Sequence, residues 1–239
     1  MNNGLVRPPS GMDIGLSTAK YFALVCGLTD RVHWEAPPAH LEADLQALKA
    51  SLKDHFYYGQ ARRCCYCGIE LPNNKLAYQL DHVISRNDRA DFMVCLLNLA
   101  VACGPCNGAK SKKATLAAGI VAAELAVVPM SSEAYAIVHP QFDEWGLHLR
   151  LDGFNRVLHR TEKGRCTISI CRIDKLNAAR LSDHFAVGDR PKVVDLVVRV
   201  GSYKQKGRKI AAIQLLEKLA GRGSHRARVA VGRISLEVM

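Results

Sequence analysis

Leu41, Leu45, Leu48, Leu52 and Phe56 recur at three- and four-residue steps, so a helix over residues 40–57 would carry all five on one face, facing a core. The Ala-rich run at 114–127 predicts a second helix, and Ser131 and Ser132 can cap a short one reaching Val138, before Pro140. The period then changes to two. Leu147, Leu149 and Leu151 alternate with His148, Arg150 and Asp152, Asp152-Gly153 signals a turn, and residues 156–160 can return as the partner strand. Residues 167–171 read as another strand and 174–185 as a helix. Residues 1–38 read as mostly irregular, because Pro8, Pro9, Gly11, Pro37 and Pro38 break any pattern.

This mixture predicts an α+β fold in four parts. They are an irregular segment with an amphipathic helix (1–62), a cysteine-bearing core (63–113), a helical and small-sheet extension (114–188), and a basic region (189–239). In residues 190–239 twelve Lys and Arg face only Asp195, Glu217 and Glu237, and Ile210, Ile213, Leu216 and Leu219 can still form a helix face. The whole chain of 239 residues carries a formal charge of +11, an excess that points to a polyanionic partner. A membrane surface fits less well, since the Lys/Arg clusters lack an amphipathic aromatic face. The apolar stretch at 114–128 is broken by Glu124 and too short to cross a bilayer. Residues 1–10 lack the apolar core of an export signal, so a cytoplasmic location is expected.

In a reducing compartment the nine cysteines do not read as a disulfide framework. Cys64 and Cys67 enclose two residues, as do Cys103 and Cys106, and each spacing lets one tight turn present two sulfurs to a single ion. Together they predict a tetrahedral four-sulfur site that suits zinc. With four thiolates the site is closed, so the ion would stabilise the fold and perform no chemistry. Cys65 is adjacent to a ligand and is expected to point away. A thioredoxin-like redox pair is the alternative reading of either CxxC.

Between the pairs lies Leu80-Asp81-His82-Val83-Ile84, then Asn98-Leu99, and the second pair runs directly into Asn107 and Lys110. In the combination CYCG, LDHVIS, NLAVACGPCN and AKSKK, residues 64–113 resemble an HNH endonuclease of the subgroup whose ββα-metal motif is braced by two CxxC pairs. The resemblance implies phosphodiester hydrolysis in DNA. His82 would be the general base, and its unperturbed pKa of about 6.5 leaves it largely neutral at cell pH. Asn98 would brace the loop carrying the base. Asp81 and Asn107, where many members have His in place of Asn107, would hold a catalytic ion by oxygen, favouring Mg2+ or Mn2+. Products would carry 5′ phosphate and 3′ hydroxyl. Strand pleating alone would send Asp81 away from His82, so a local twist is expected. Lys110, Lys112 and Lys113, expected on the same helix, would contact phosphates.

A looser likeness continues through His139-Pro140-Gln141-Phe142-Asp143-Glu144-Trp145 with His148, then 164–168, Leu176-Asn177 and Arg180-Leu181. It is similar to the region beyond the core in stand-alone bacterial HNH proteins and in the nuclease subunits of Septu-type anti-phage systems, including retron-linked ones. That likeness implies a defence role and an ABC-type ATPase partner. One HNH site cuts one strand, so duplex scission would need a homo-oligomer or repeated nicking. The rival from another class is a zinc-braced nucleic-acid-binding or adaptor module in which Asp81 and His82 are ordinary surface or capping residues.

Overall fold

The computed structural model describes residues 14–153, 155–186, 206–221, 227 and 231. The fold is α+β, with two small two-stranded sheets among helices. The chain divides into two units, Met1–Leu149 with His159–Cys171, and Arg150–Leu158 with Arg172–Met239. Among the described residues no helix is long and apolar enough to cross a membrane.

The first unit is organised by the helix that the leucine spacing predicts. It runs Ala39–Gly59 and buries Leu41, Leu45, Leu48, Leu52, Phe56 and Tyr57. A shorter helix, α1 (Thr18–Gly27), packs against it; the long one is α2. Ser17 caps α1 by accepting from the Lys20 backbone N–H, and Lys20 pairs with Asp44 of α2 at 2.7 Å. The expectation of an irregular N-terminus is therefore corrected for 18–27. The prolines lie on either side of that stretch, and Tyr21 and Leu24 bury a helical face of their own. A 3-10 turn at Arg31–Trp34, capped by Asp30, then leads back to α2.

Two antiparallel strands come next, β1 (Tyr78–His82) and β2 (Leu99–Cys103), in the register Tyr78↔Cys103, Leu80↔Val101 and His82↔Leu99. α3 (Gly104–Lys110) leaves β2 without a linker and packs against both strands. Pro105 in its first turn costs no hydrogen bond there. Ser111 ends it with φ of 44°, so Lys112 and Lys113 lie beyond the helix that was expected to carry them.

Three further expectations are overturned. Residues 114–127 form no α-helix, only a 3-10 turn at Ala122–Glu124. Gly119 turns there with φ of +87°, and the Arg89 guanidinium takes the carbonyls of Ala122 and Leu125, which a helix would have used. At 131–138 only Ser132–Ala134 turns, because the Ser131 hydroxyl bonds the Glu133 carboxylate and provides no backbone cap. Residues 167–171 lie in or just after helix α5 (Glu162–Ile170), which is capped by Thr161 accepting from Gly164 N–H. Its buried Thr167 hydroxyl donates back to the Lys163 carbonyl and accepts from Val138 N–H, so it is satisfied inside the helix.

Leu147 belongs to the single turn α4 (Trp145–His148). The alternating run shortens to β3 (Leu149–Leu151), paired with β4 (Val157–His159) inside the predicted return strand. In the second unit, Asn177 of α6 (Ile173–Ala186) bonds both the N–H and the C=O of Val157, each at 2.8 Å. Most of the basic region lies outside the described residues. α7 (Lys206–Gly221) buries Ile213 and Leu216 and leaves Ile210 exposed.

Candidate functional site

The four paired cysteines converge. Their sulfurs lie within 4.8 Å of one another, and all four residues are buried. The first pair rides a tight loop closed by Cys64 N–H to Ile69 O at 2.9 Å and Gly68 N–H to Cys64 O at 3.0 Å. Gly68 has φ of +65° and would place a Cβ 3.1 Å from the Trp145 indole, so glycine suits it on both counts. Trp145 Nε1–H also donates to Tyr66 O, a packing role. The second pair comes from the end of β2 and the first turn of α3.

Hydrogen bonds from Cys103 and Cys106 hold Cys64 well below the ordinary thiol pKa and lower Cys67 as well, while the neighbouring sulfurs push Cys103 and Cys106 up. A cation among the four sulfurs would favour the thiolate form of each. The Cys67 and Cys103 sulfurs are 3.8 Å apart. A tetrahedron with Zn–S bonds of about 2.3 Å has an edge of about 3.8 Å, so the cluster can hold a structural metal such as zinc. Cys65 is buried but stands outside it.

The other constellation opens onto a cleft of about 480 Å³. Asp81 and His82, the last residues of β1, both line it, as do Asn107 and Lys110 of α3. Asp81 is 3% exposed. Its Oδ2 accepts from the Tyr66 hydroxyl at 2.5 Å, and its Oδ1 lies 3.2 Å from Lys110 Nζ. Burial raises the Asp81 pKa, and the Lys110 charge works against that rise. Lys110 was expected at a phosphate. It is 1% exposed and serves the interior, with a tighter 2.7 Å bond to the His82 carbonyl. Of its two companions, Lys113 donates to Ile170 O and Lys112 is exposed.

His82 is held from two sides. Its Nε2 lies 3.0 Å from Met93 O, and its ring meets the Trp34 ring in a T at 4.6 Å. A carbonyl can only accept, so Nε2 carries the proton and Nδ1 keeps its lone pair. Burial pushes the imidazole down to about 3, so it is neutral near pH 7. Asn98, fully buried, fastens the segment after His82. Its Oδ1 accepts from Ile84 N–H at 2.7 Å, and its Nδ2 donates to Ile84 O and Phe92 O. Asn107 donates through Nδ2 to Gln79 Oε1 at 2.6 Å.

Sequence reasoning missed much of the cleft wall. Trp34 and Glu35 come from the segment read as irregular. Lys49 and Lys53 lie on the polar flank of α2, and Arg86 forms a bidentate ion pair with Glu35. A lysine pair four apart beside an apolar helix stripe was the available signal for the α2 contribution. Tyr66 sits inside the first CxxC, and nothing in that spacing marks it as a partner of Asp81.

Comparison with protein-family models finds no match, and searches of curated proteins and of solved structures find none either.

Proposed function

We propose that the cleft hydrolyses phosphodiester bonds in nucleic acid, DNA foremost, as a metal-dependent endonuclease of the HNH type. The observation that carries this reading is the state of His82. One ring nitrogen is committed to the Met93 carbonyl, and the other keeps its lone pair on a residue lining a cleft that also holds a carboxylate and an amide. A base in this setting takes a proton from water at Nδ1. The water oxygen forms the new bond to phosphorus, the bond to the 3′ oxygen breaks, and that oxygen receives a proton from solvent.

The donor set suits a hard cation. Asp81 Oδ1 has only a 3.2 Å contact to Lys110, whose shorter bond goes to His82 O, and Asn107 spends its Nδ2 on Gln79 and keeps its amide oxygen. Asp81 and Asn107 would hold Mg2+ or Mn2+, which supplies positive charge beside the phosphate and the leaving oxygen. The protein's own part is to keep the His82 tautomer fixed through Met93, to pack its ring against Trp34, and to anchor the base-bearing segment through Asn98. Lys110 ties β1 to α3 beneath the site. The role beside an ABC-type ATPase in phage defence rests on the second resemblance alone.

The experiment is cleavage of labelled DNA and RNA strands by zinc-loaded protein, with Mg2+ or in chelator-free buffer without added divalent ions. The expected result is Mg2+-dependent cutting of DNA that leaves 5′ phosphate ends. Tight binding with no cutting in Mg2+ or Mn2+ would favour the adaptor reading instead.

A further inference from the structure

The geometry points to a phosphate track on α2, in which Lys49 and Lys53 hold the backbone of the strand being cut; it rests on the cleft being a nucleic-acid site. Four cationic side chains line the cleft, Lys49, Lys53, Arg86 and Lys110, against two carboxylates, Glu35 and Asp81. Glu35 is bidentate to Arg86, and Asp81 faces Lys110, so neither carboxylate pairs with an α2 lysine. The lining therefore has two more cations than carboxylates, and Lys49 and Lys53 are the two outside those pairs.

Neither lysine forms an ion pair among the described residues. Lys49 Nζ donates to Trp34 O and lies 4.4 Å over the Trp34 ring, while Lys53 Nζ donates to Lys75 O at 2.7 Å and lies 5.7 Å from the Tyr78 ring centre. Carbonyls and ring faces orient an ammonium and leave its charge in place. Partial burial lowers the pKa of both; the Glu35 charge works against that at Lys49, and the Lys75 charge adds to it at Lys53. An anion entering the cleft would relieve that cost.

The spacing selects a polymer over a single small anion. Residues four apart on a helix advance roughly 6 Å, and strand phosphates recur about every 3.4 Å along a duplex axis, so the row spans nearly two phosphate steps. Trp34 connects the track to the chemistry, since it lies under Lys49 and also packs against the His82 ring. Lysine ammoniums read charge without reading base identity, so the track confers affinity and no sequence preference.

The test uses the full zinc-loaded chain carrying His82→Ala, in chelator-free buffer without Mg2+ or Mn2+, so that binding is measured without cutting. The probe is whichever of a labelled DNA strand and its matching duplex binds more tightly, titrated across a series of salt concentrations. Each of Lys49→Gln and Lys53→Gln should reduce the slope of log affinity against log salt by about 0.7–0.9, and the double variant by about twice that. Lys20→Gln, whose lysine pairs with Asp44 on α1 and α2, should leave the slope unchanged.

Lysine acetylation read by mass spectrometry on the unsubstituted chain needs no variant to fold. Bound DNA should protect Lys49 and Lys53 and leave Lys20 labelled as before. An unchanged slope in the double variant, or equal labelling of Lys49 and Lys53 with and without DNA, overturns the assignment. A chain that cuts DNA yet shows neither effect loses the track and keeps the nuclease reading. One that shows both effects and never cuts keeps the track and loses the catalysis.

Discussion

The thiol cluster and the cleft draw on the same small scaffold of β1, β2 and α3, and they use it in opposite ways. Cys106 and Asn107 are consecutive on α3, yet one is fully buried among sulfurs and the other is half-buried at the cleft. The cluster takes all its groups from two short turns, is sealed from solvent and consists of one chemical type. The cleft gathers unlike groups from the 31–34 turn, α2, β1, the segment after it and α3, and it stays open to water. A closed site of like ligands can add stability alone, while an open site of unlike, individually restrained groups can do chemistry.

The largest effect that would break this contrast is loss of the cluster. Cys106→Ser should lower the zinc content below one ion per chain and unfold the first unit under conditions where the parent is folded. Structural zinc binding contributes on the order of 10 kcal/mol, comparable to the whole stability of an ordinary domain. Zinc analysis with circular dichroism checks it. A folded variant with full zinc would show that the cluster does not brace the fold.

Next in size is Tyr66→Phe, which cuts a hydrogen bond running from the first cysteine turn to the cleft carboxylate. Hydrogen bonds to charged groups contribute about 1.5–3 kcal/mol, so urea unfolding should show a loss of that size while zinc content stays at the parent level. Equal stability in the two proteins would mean that cluster and cleft are not linked through Tyr66.

A second buried histidine supplies a control, read from a slope against pH. Burial pushes His139 down to about 3, as it does His82, but His139 packs between Tyr135 and Phe142, away from the cleft lining. Its folded pKa lies below the unfolded value of about 6.5, so the unfolded chain takes up the proton first as pH falls. Its contribution is complete above about pH 6.5 and is lost by about 1.4 kcal/mol per unit on descending toward 3. His139→Gln should therefore have a shallower acid dependence of stability between about pH 6 and 4. A slope equal to the parent's contradicts the burial argument.

The two regions also differ in how far they could be read from residues alone. The cluster was legible because CxxC spacing is local: two turns of four residues define all four ligands, and the folded chain has only to bring the turns together. α2 was legible for a similar reason, since its leucines repeat a helical period. Asp81, His82, Asn98, Asn107 and Lys110 could be named, but their partners could not. That Lys110 would point inward to Asp81 and the His82 carbonyl depends on packing of α3 against β1, which no spacing encodes.

Trp34, Lys49 and Lys53 reach the cleft through contacts between segments far apart in the chain. The failed helix at 114–127 has the same origin, because alanine content favours a helix locally while Arg89, 33 residues before Ala122, takes the carbonyls. The missed helix at 162–170 is the converse case. Its Thr-Ile-Ser-Ile run has strand propensity, and the Thr161 cap together with the bond from Val138 N–H to the Thr167 hydroxyl favours the helix instead.

The central claim is that His82 removes a proton from the attacking water. Its most direct measurement is the single-turnover rate of DNA cleavage in Mg2+ by the parent and by His82→Ala, with both proteins zinc-loaded and saturated with substrate. A general base is worth roughly 10²–10⁴-fold, so the variant should be slower by that factor at unchanged DNA affinity. A variant that cuts as fast as the parent would contradict the assignment of His82 and, with it, the reading of the cleft as a catalytic site.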